Sequence, residues 1–99
     1  MTKIKKLVKM IDEEIDGAKC YAEKYLECKA KDNPQWANRF KEMSNDELKH
    51  ATYLHDFAVQ EIEILSKVYT PPVEMQEKWD KEHTEFVERV AWVKQMLLL

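Results

Sequence analysis

Three residues of this sequence are typical ligands for a transition metal, and their spacing allows them to meet. Glu47 and His50 form an E-x-x-H step, which places a carboxylate and an imidazole on one face of a helix. Glu14 lies 33 positions before Glu47. Carboxylate and imidazole ligands suit iron, manganese or zinc, and a glutamate can bridge two ions. Two carboxylates and one imidazole are half of the ligand set of a carboxylate-bridged dinuclear site.

Helical geometry supports this grouping. On a helical wheel at about 100° per residue, Glu47 lies in the middle of an apolar stripe and His50 lies about 60° to one side. Measured from a turn at 32–33, Glu14 and His50 lie at nearly the same height, roughly 26–28 Å along their helices. Because a buried carboxylate is costly unless it is paired or bound, we expect these three residues to hold a metal ion. The alternative is a buried Glu–His pair, with Tyr21, that fixes packing without metal.

Two turn signals divide the sequence into helices. Asn33 before a proline is typical of a helix N-cap, and Thr70 before two prolines offers the same signal again. Helical periodicity fills the segments between these signals, so we predict an all-α fold with one domain spanning 1–99. Short connections predict antiparallel neighbours. The predicted helices span residues 3–31, 34–68 and 72–97.

Each predicted helix carries apolar residues at steps of three and four, with charged residues on the opposite face. These stripes predict the surfaces that form the core. The first stripe consists of Ile4, Leu7, Ile11, Ile15, Ala18, Ala22 and Tyr25. The second consists of Trp36, Phe40, Met43, Leu54, Ala58, Leu65 and Val68. The third consists of Met75, Trp79, Phe86, Val90, Val93 and Leu97.

The second predicted helix is long for a chain of 99 residues. Its roughly 35 residues would span about 52 Å, whereas a compact chain of this size measures about 33 Å across. Such a helix leaves part of its apolar stripe in water unless another chain covers it. We therefore predict a half-bundle that is completed by a homodimer or a larger homo-oligomer.

Composition argues against several classes of function. The net charge of -3 argues against nucleic acid as a ligand, because phosphate binding requires a strong basic patch. Apolar runs are too short for a signal peptide or a membrane span, so we expect a cytoplasmic protein that does not interact with a membrane. Cys20 and Cys28 would lie about 12 Å apart on one helix, which is too far for a disulfide, and we predict reduced thiols.

Three other polar residues lie beside the predicted stripes. Glu82 and His83 flank the third stripe, and an antiparallel third helix would place them away from Glu14, nearer Glu61. We interpret Glu82 and His83 as an interface cluster, with a metal ligand from this helix as the alternative. His55 lies about 80° from the second stripe, so we predict that it faces solvent.

The sequence resembles the ferritin-like superfamily, and most closely the rubrerythrin-type hairpin. The resemblance rests on a helix glutamate, a tyrosine seven residues later and E-x-x-H on the next helix: Glu14, Tyr21, Glu47 and His50. It covers about residues 7–60. The family's second hairpin is missing, since the third helix carries only D-x-x-H at 80–83. Short three-helix ferritin-like proteins from bacterial or prophage genomes are similar in build.

The resemblance implies that two copies of the chain complete the site. Two sets of Glu14, Glu47 and His50 would supply four carboxylates and two imidazoles, with Glu47 bridging two metal ions. Tyr21 would hydrogen-bond a ligand carboxylate and orient it. Iron is the metal implied first, with manganese or zinc as alternatives, and the implied chemistry is Fe(II) oxidation by oxygen or peroxide. The stripes alone are equally consistent with a non-enzymatic helical assembly or adaptor module, whose buried Glu and His are structural.

Overall fold

The computed structural model describes residues 2–68 and 70–99, whose regular structure consists of three α-helices. Helix α1 spans Thr2–Ala30, α2 spans Pro34–Ser66 and α3 spans Val73–Leu98. Each boundary lies within two residues of the predicted one. The all-α class is therefore confirmed. In this part of the chain, no helix combines the length and apolar character needed to cross a membrane.

The turn between α1 and α2 forms as its sequence predicts. Asp32 has a positive φ of 56°, and its N–H donates to the Lys29 carbonyl at 3.1 Å. The Asn33 N–H donates to the Cys28 carbonyl at 2.9 Å, which completes a Schellman ending of α1. The Asn33 side chain then accepts a hydrogen bond from the Trp36 N–H at 3.4 Å and caps α2. This tight turn makes the two long helices an antiparallel hairpin.

The start of α3 differs from the prediction, because Thr70 does not cap it. The helix begins at Val73, and Pro72 occupies the cap position with φ -56° and ψ 147° and no side-chain hydrogen bond. A residue that precedes proline avoids the α region, so Pro71 cannot be helical. The helix therefore starts only after both prolines.

The core lies mainly between α1 and the other two helices, since α1 packs along α2 and α3 contacts chiefly α1. All seven residues of the predicted α1 stripe are buried. In the α3 stripe, Val93 and Leu97 are buried and the other members are half-buried. Arg89 also ties α3 to α1, since its guanidinium donates to Asp12 at 3.0 Å and to Asp16 at 2.5 Å. Periodicity predicted these two surfaces correctly.

The predicted α2 stripe is displaced by about 60° from the buried face of the helix, although its member Ala58 is buried as predicted. The buried face carries small residues at every seventh position, here called the small-residue seam: Ala37, Ser44, Ala51 and Ala58. Trp36 and Met43, predicted in the core, are 50% and 38% exposed. Small side chains let the backbones of α1 and α2 approach closely, because interhelical distance depends on side-chain size at the contact. The large side chains are therefore displaced outward.

These outward residues leave α2 with a second, exposed face. Its side chains also recur at every seventh position and are here called the outer ridge: Trp36, Met43, His50, Phe57 and Ile64. The molecule measures 55 × 17 × 17 Å, with a radius of gyration of 16.2 Å. A compact chain of about 100 residues has a radius of gyration near 13 Å. The molecule is thus elongated, with part of its apolar surface in solvent.

Candidate metal centre

The structure brings Glu14, Glu47 and His50 together on the α1–α2 hairpin. One ligand atom from each of the three lies within 4.8 Å of the others. His50 Nδ1 is 3.5 Å from Glu14 Oε2 and 4.0 Å from Glu47 Oε1. Two carboxylates and an imidazole therefore face one point, at a separation that one metal ion can span after small side-chain adjustments.

A buried hydrogen bond fixes the register of the two helices next to this site. The Ser44 hydroxyl donates to the Ala18 carbonyl at 2.7 Å, and both residues are fully buried. Ala18 lies about one turn after Glu14, and Ser44 lies about one turn before Glu47. The bond therefore holds the two carboxylates at one level.

Gly17 provides the space that Glu47 occupies. A Cβ at position 17 would lie 3.3 Å from Glu47 Oε2 and 3.7 Å from its Cδ. Glycine within a helix costs about 0.5–1 kcal/mol relative to alanine. The chain has a single glycine, and it lies in the middle of α1, three residues after Glu14. A lone glycine in the middle of a helix indicates that another group approaches the backbone there. We did not predict this role for Gly17 from the sequence.

The environment of Glu47 disfavours its ionised form. A hydrogen bond with Glu14 raises the pKa of Glu47, and burial and the charge of Glu14 raise it further, while the charge of His50 opposes this shift. A divalent cation beside the two carboxylates would favour the ionised form of Glu47.

The site is open on its imidazole side. The His50 side chain is 53% exposed, whereas those of Glu14 and Glu47 are 29% and 27% exposed. All three ligands come from α1 and α2. An ion bound by this chain alone would keep several coordination positions in solvent.

Tyr21 lies about two turns after Glu14 on α1, as part of an aromatic row. It is half-buried, and its ring stacks on Phe40 with centroids 6.3 Å apart. Phe40 in turn lies 6.1 Å from the Trp36 ring. Among the described contacts, the Tyr21 hydroxyl bonds neither ligand carboxylate, so its orienting role stays a prediction.

The prediction that His55 faces solvent is wrong. His55 is 8% exposed, and its ring stacks on Phe86 with centroids 4.2 Å apart. The cause is the rotation of the buried face of α2, which turns His55 towards α3. Its Nε2 lies 3.0 Å from His83 Nδ1. Glu61, expected nearer this cluster than the metal group is, forms an ion pair with Lys3 at 3.2 Å.

Cys20 and Cys28 are both free, as predicted. Cys20 is exposed and Cys28 is half-buried among core residues. Neither belongs to the group formed by Glu14, Glu47 and His50.

The fold and the site together define a class of protein. A hairpin of long antiparallel helices, with glutamate on one helix and E-x-x-H on the next, is the metal-binding unit of ferritin-like proteins. The family model for rubrerythrin matches residues 5–96, so this chain belongs to the rubrerythrin family, within the ferritin-like superfamily. The match also covers α3, beyond the resemblance over 7–60. No curated protein and no solved structure matches the chain.

Proposed function

We propose that two copies of this chain hold a dinuclear iron site between them and that the site oxidises Fe(II). One observation carries the proposal: Glu14, Glu47 and His50 form one ligand group on an exposed side of the hairpin. Ferritin-like dinuclear sites use two such groups. Since the chain has one hairpin, a second copy is the simplest source of the second group.

The outer ridge of α2 supports a second copy as the partner. Its residues recur every seven positions, and a second row at steps of three and four includes Phe40, Glu47 and Leu54. This spacing is that of the a and d positions through which two helices pack. Glu47 and His50 lie within the pattern, so a two-fold axis near them would bring both ligand sets together.

The donor set fits iron. Membership of the rubrerythrin family implies metal binding, usually of iron. Carboxylate oxygens and imidazole nitrogen suit iron and manganese, and zinc shares these ligands. A hydrogen bond with Glu14, burial and the Glu14 charge raise the pKa of Glu47, and a bound cation would offset these effects. In this proposal Glu47 bridges two ions, and Glu14 and His50 each hold one.

Fe(II) is the substrate in this proposal. It loses one electron to oxygen or peroxide, and the carboxylates stabilise the extra positive charge of the ferric product. The imidazole side of the group is open, which would let Fe(II) enter before or during assembly. Tyr21 would fix the orientation of a ligand carboxylate.

The test is an anaerobic Fe(II) titration followed by exposure to oxygen, with absorbance of the ferric product as the readout. We expect about one iron per chain and rapid oxidation, because two copies complete a two-iron site. The Glu47→Ala variant should lose both the bound iron and the rapid oxidation. Glu42→Ala, which removes an exposed carboxylate from the same helix, should behave like the parent protein.

The titration also distinguishes the non-enzymatic alternative. A Glu47→Ala protein that keeps its iron and its oxidation rate would contradict the assigned ligands. A parent protein that forms oligomers but refuses Fe(II), Mn(II) and Zn(II) would instead be a helical assembly module whose Glu and His are structural.

A further inference from the structure

We infer that a second metal site lies at the junction of α2 and α3, where His55 and His83 bind one Zn(II) or Cu(II) ion. This site is separate from the group formed by Glu14, Glu47 and His50. It would take a different class of metal and would join α3 to the hairpin.

The two imidazoles already converge from different helices. His55 Nε2 lies 3.0 Å from His83 Nδ1. The His55 ring is held between Phe86, with centroids 4.2 Å apart, and Trp79, with centroids 5.5 Å apart. A buried ring fixed on both faces loses little freedom when it binds an ion. His83 is exposed, so an ion can reach the pair from solvent.

The separation of the two nitrogens suits a shared ion. In the metal-free protein one ring donates an N–H and the other accepts it. If both rings carry their proton on the opposite nitrogen, two lone pairs face each other. With metal–nitrogen distances of about 2.0–2.1 Å, two ligands of a tetrahedral ion lie roughly 3.3–3.4 Å apart. The observed nitrogen–nitrogen distance of 3.0 Å is a few tenths of an ångström shorter than this. The exposed His83 side chain can move far enough to lengthen it.

The two imidazoles are the protein's contribution to this site. Because His83 is exposed, water can occupy the remaining coordination positions of the ion.

Ligand type separates the two sites. Two imidazoles prefer zinc, copper or nickel, whereas a group dominated by carboxylates suits iron or manganese. Because α3 contacts chiefly α1, an ion at this pair would add a direct link between α2 and α3.

The test uses the double variant Glu47→Ala and His50→Ala, which removes the first site. Titrated with Zn(II) or Cu(II) alone, this protein should bind one ion per chain. Adding His83→Asn should weaken binding by at least about tenfold, since one of two imidazole ligands is lost. Gln95→Ala, a change at another exposed position of α3, should leave the affinity unchanged.

A second readout is spectroscopic. Cu(II) added to the double variant, which lacks His50, should show electron paramagnetic resonance couplings from two histidine nitrogens of this site. His83→Asn should remove one of them, while circular dichroism shows that the fold is retained. Two results would overturn the assignment. One is a His83→Asn variant whose affinity stays within twofold of that of the protein with His83. The other is a folded double variant that binds neither ion. Neither result bears on iron at the first site, so the two proposals can fail separately.

Discussion

The surroundings of Glu47 disfavour its ionised carboxylate. This carboxylate packs against Gly17, and a hydrogen bond with Glu14 raises the pKa of Glu47. In the proposed function, a bound cation offsets this unfavourable effect. Substitutions of Glu47 and Gly17 should therefore improve the stability of the metal-free protein and impair metal binding.

Glu47→Gln should change how the stability of the metal-free protein depends on pH. The pKa of Glu47 is raised above 4.5 in the folded protein. Above pH 4.5 the unfolded chain loses this proton while the folded protein keeps it, so stability falls as pH rises through the folded pKa. Glu47→Gln removes this pH-dependent loss of stability. In thermal unfolding with chelator between pH 4 and 7, the Tm of the variant should change less with pH than that of the parent and should be higher at pH 7. A Tm that changes with pH in the same way in both proteins would contradict this role of Glu47.

Gly17→Ala should stabilise the metal-free protein and weaken metal binding. Replacing a helical glycine with alanine gains about 0.5–1 kcal/mol, which corresponds to a rise in Tm of several degrees for a domain of this size. The new methyl group would lie 3.3 Å from Glu47 Oε2 and push that carboxylate out of position. Thermal unfolding and metal titration on the same sample check both effects. A stabilised variant with unchanged affinity would show that Gly17 does not position Glu47.

At the scale of the helices, α2 carries two faces that the sequence does not distinguish. The small-residue seam packs on α1, and the outer ridge faces solvent. Periodicity located the α1 stripe correctly because α1 has one continuous apolar face. On α2 the larger residues gave the stronger hydrophobic signal, although close helix approach selects the smaller ones. His55 was misplaced for the same reason, whereas Glu47 and His50 were grouped correctly because their spacing depends only on helical rise.

Ser44→Val should separate the two helices that hold the site. Ser44 is fully buried and bonded to the Ala18 carbonyl. Valine adds volume to this contact and removes the hydrogen bond, which should cost about 1–3 kcal/mol. Metal affinity should fall as well, because the ligands lie on both helices. Denaturant unfolding measures the first effect and titration the second.

Ser44→Ala is the matched control, since it removes the hydrogen bond without adding volume. It should cost about 0.5–1.5 kcal/mol and keep most of the metal affinity. If Ser44→Val binds metal as tightly as the parent protein, then helix spacing does not control the site.

At the scale of the whole molecule, the elongated shape and the exposed ridge both support the proposed second copy. The molecule is 55 Å long and 17 Å wide, and the outer ridge of α2 faces solvent. Helix length alone predicted an apolar stripe left partly in solvent, because a long helix overhangs a small core. Assembly itself stays a prediction. The geometry of the second copy depends on contacts between chains, which helical periodicity does not determine.

Phe57→Glu should prevent assembly while leaving the ligands of each chain intact. Phe57 is 43% exposed on the outer ridge, about two turns from His50. A charge there would be buried by a second copy, so we expect a monomer in solution and loss of tight iron binding. Val87→Glu places the same charge at a 52% exposed position of α3 and should stay assembled. A Phe57→Glu monomer with full iron binding would contradict a shared site.

The most direct test of the shared centre is elemental analysis of natively purified, tag-free protein, with its mass in solution measured on the same sample. We expect about one iron per chain, carried by a dimer or a larger assembly. A monomer with the full metal complement would contradict the shared site, and a metal-free oligomer that also refuses added Fe(II), Mn(II) and Zn(II) would contradict the metal centre itself.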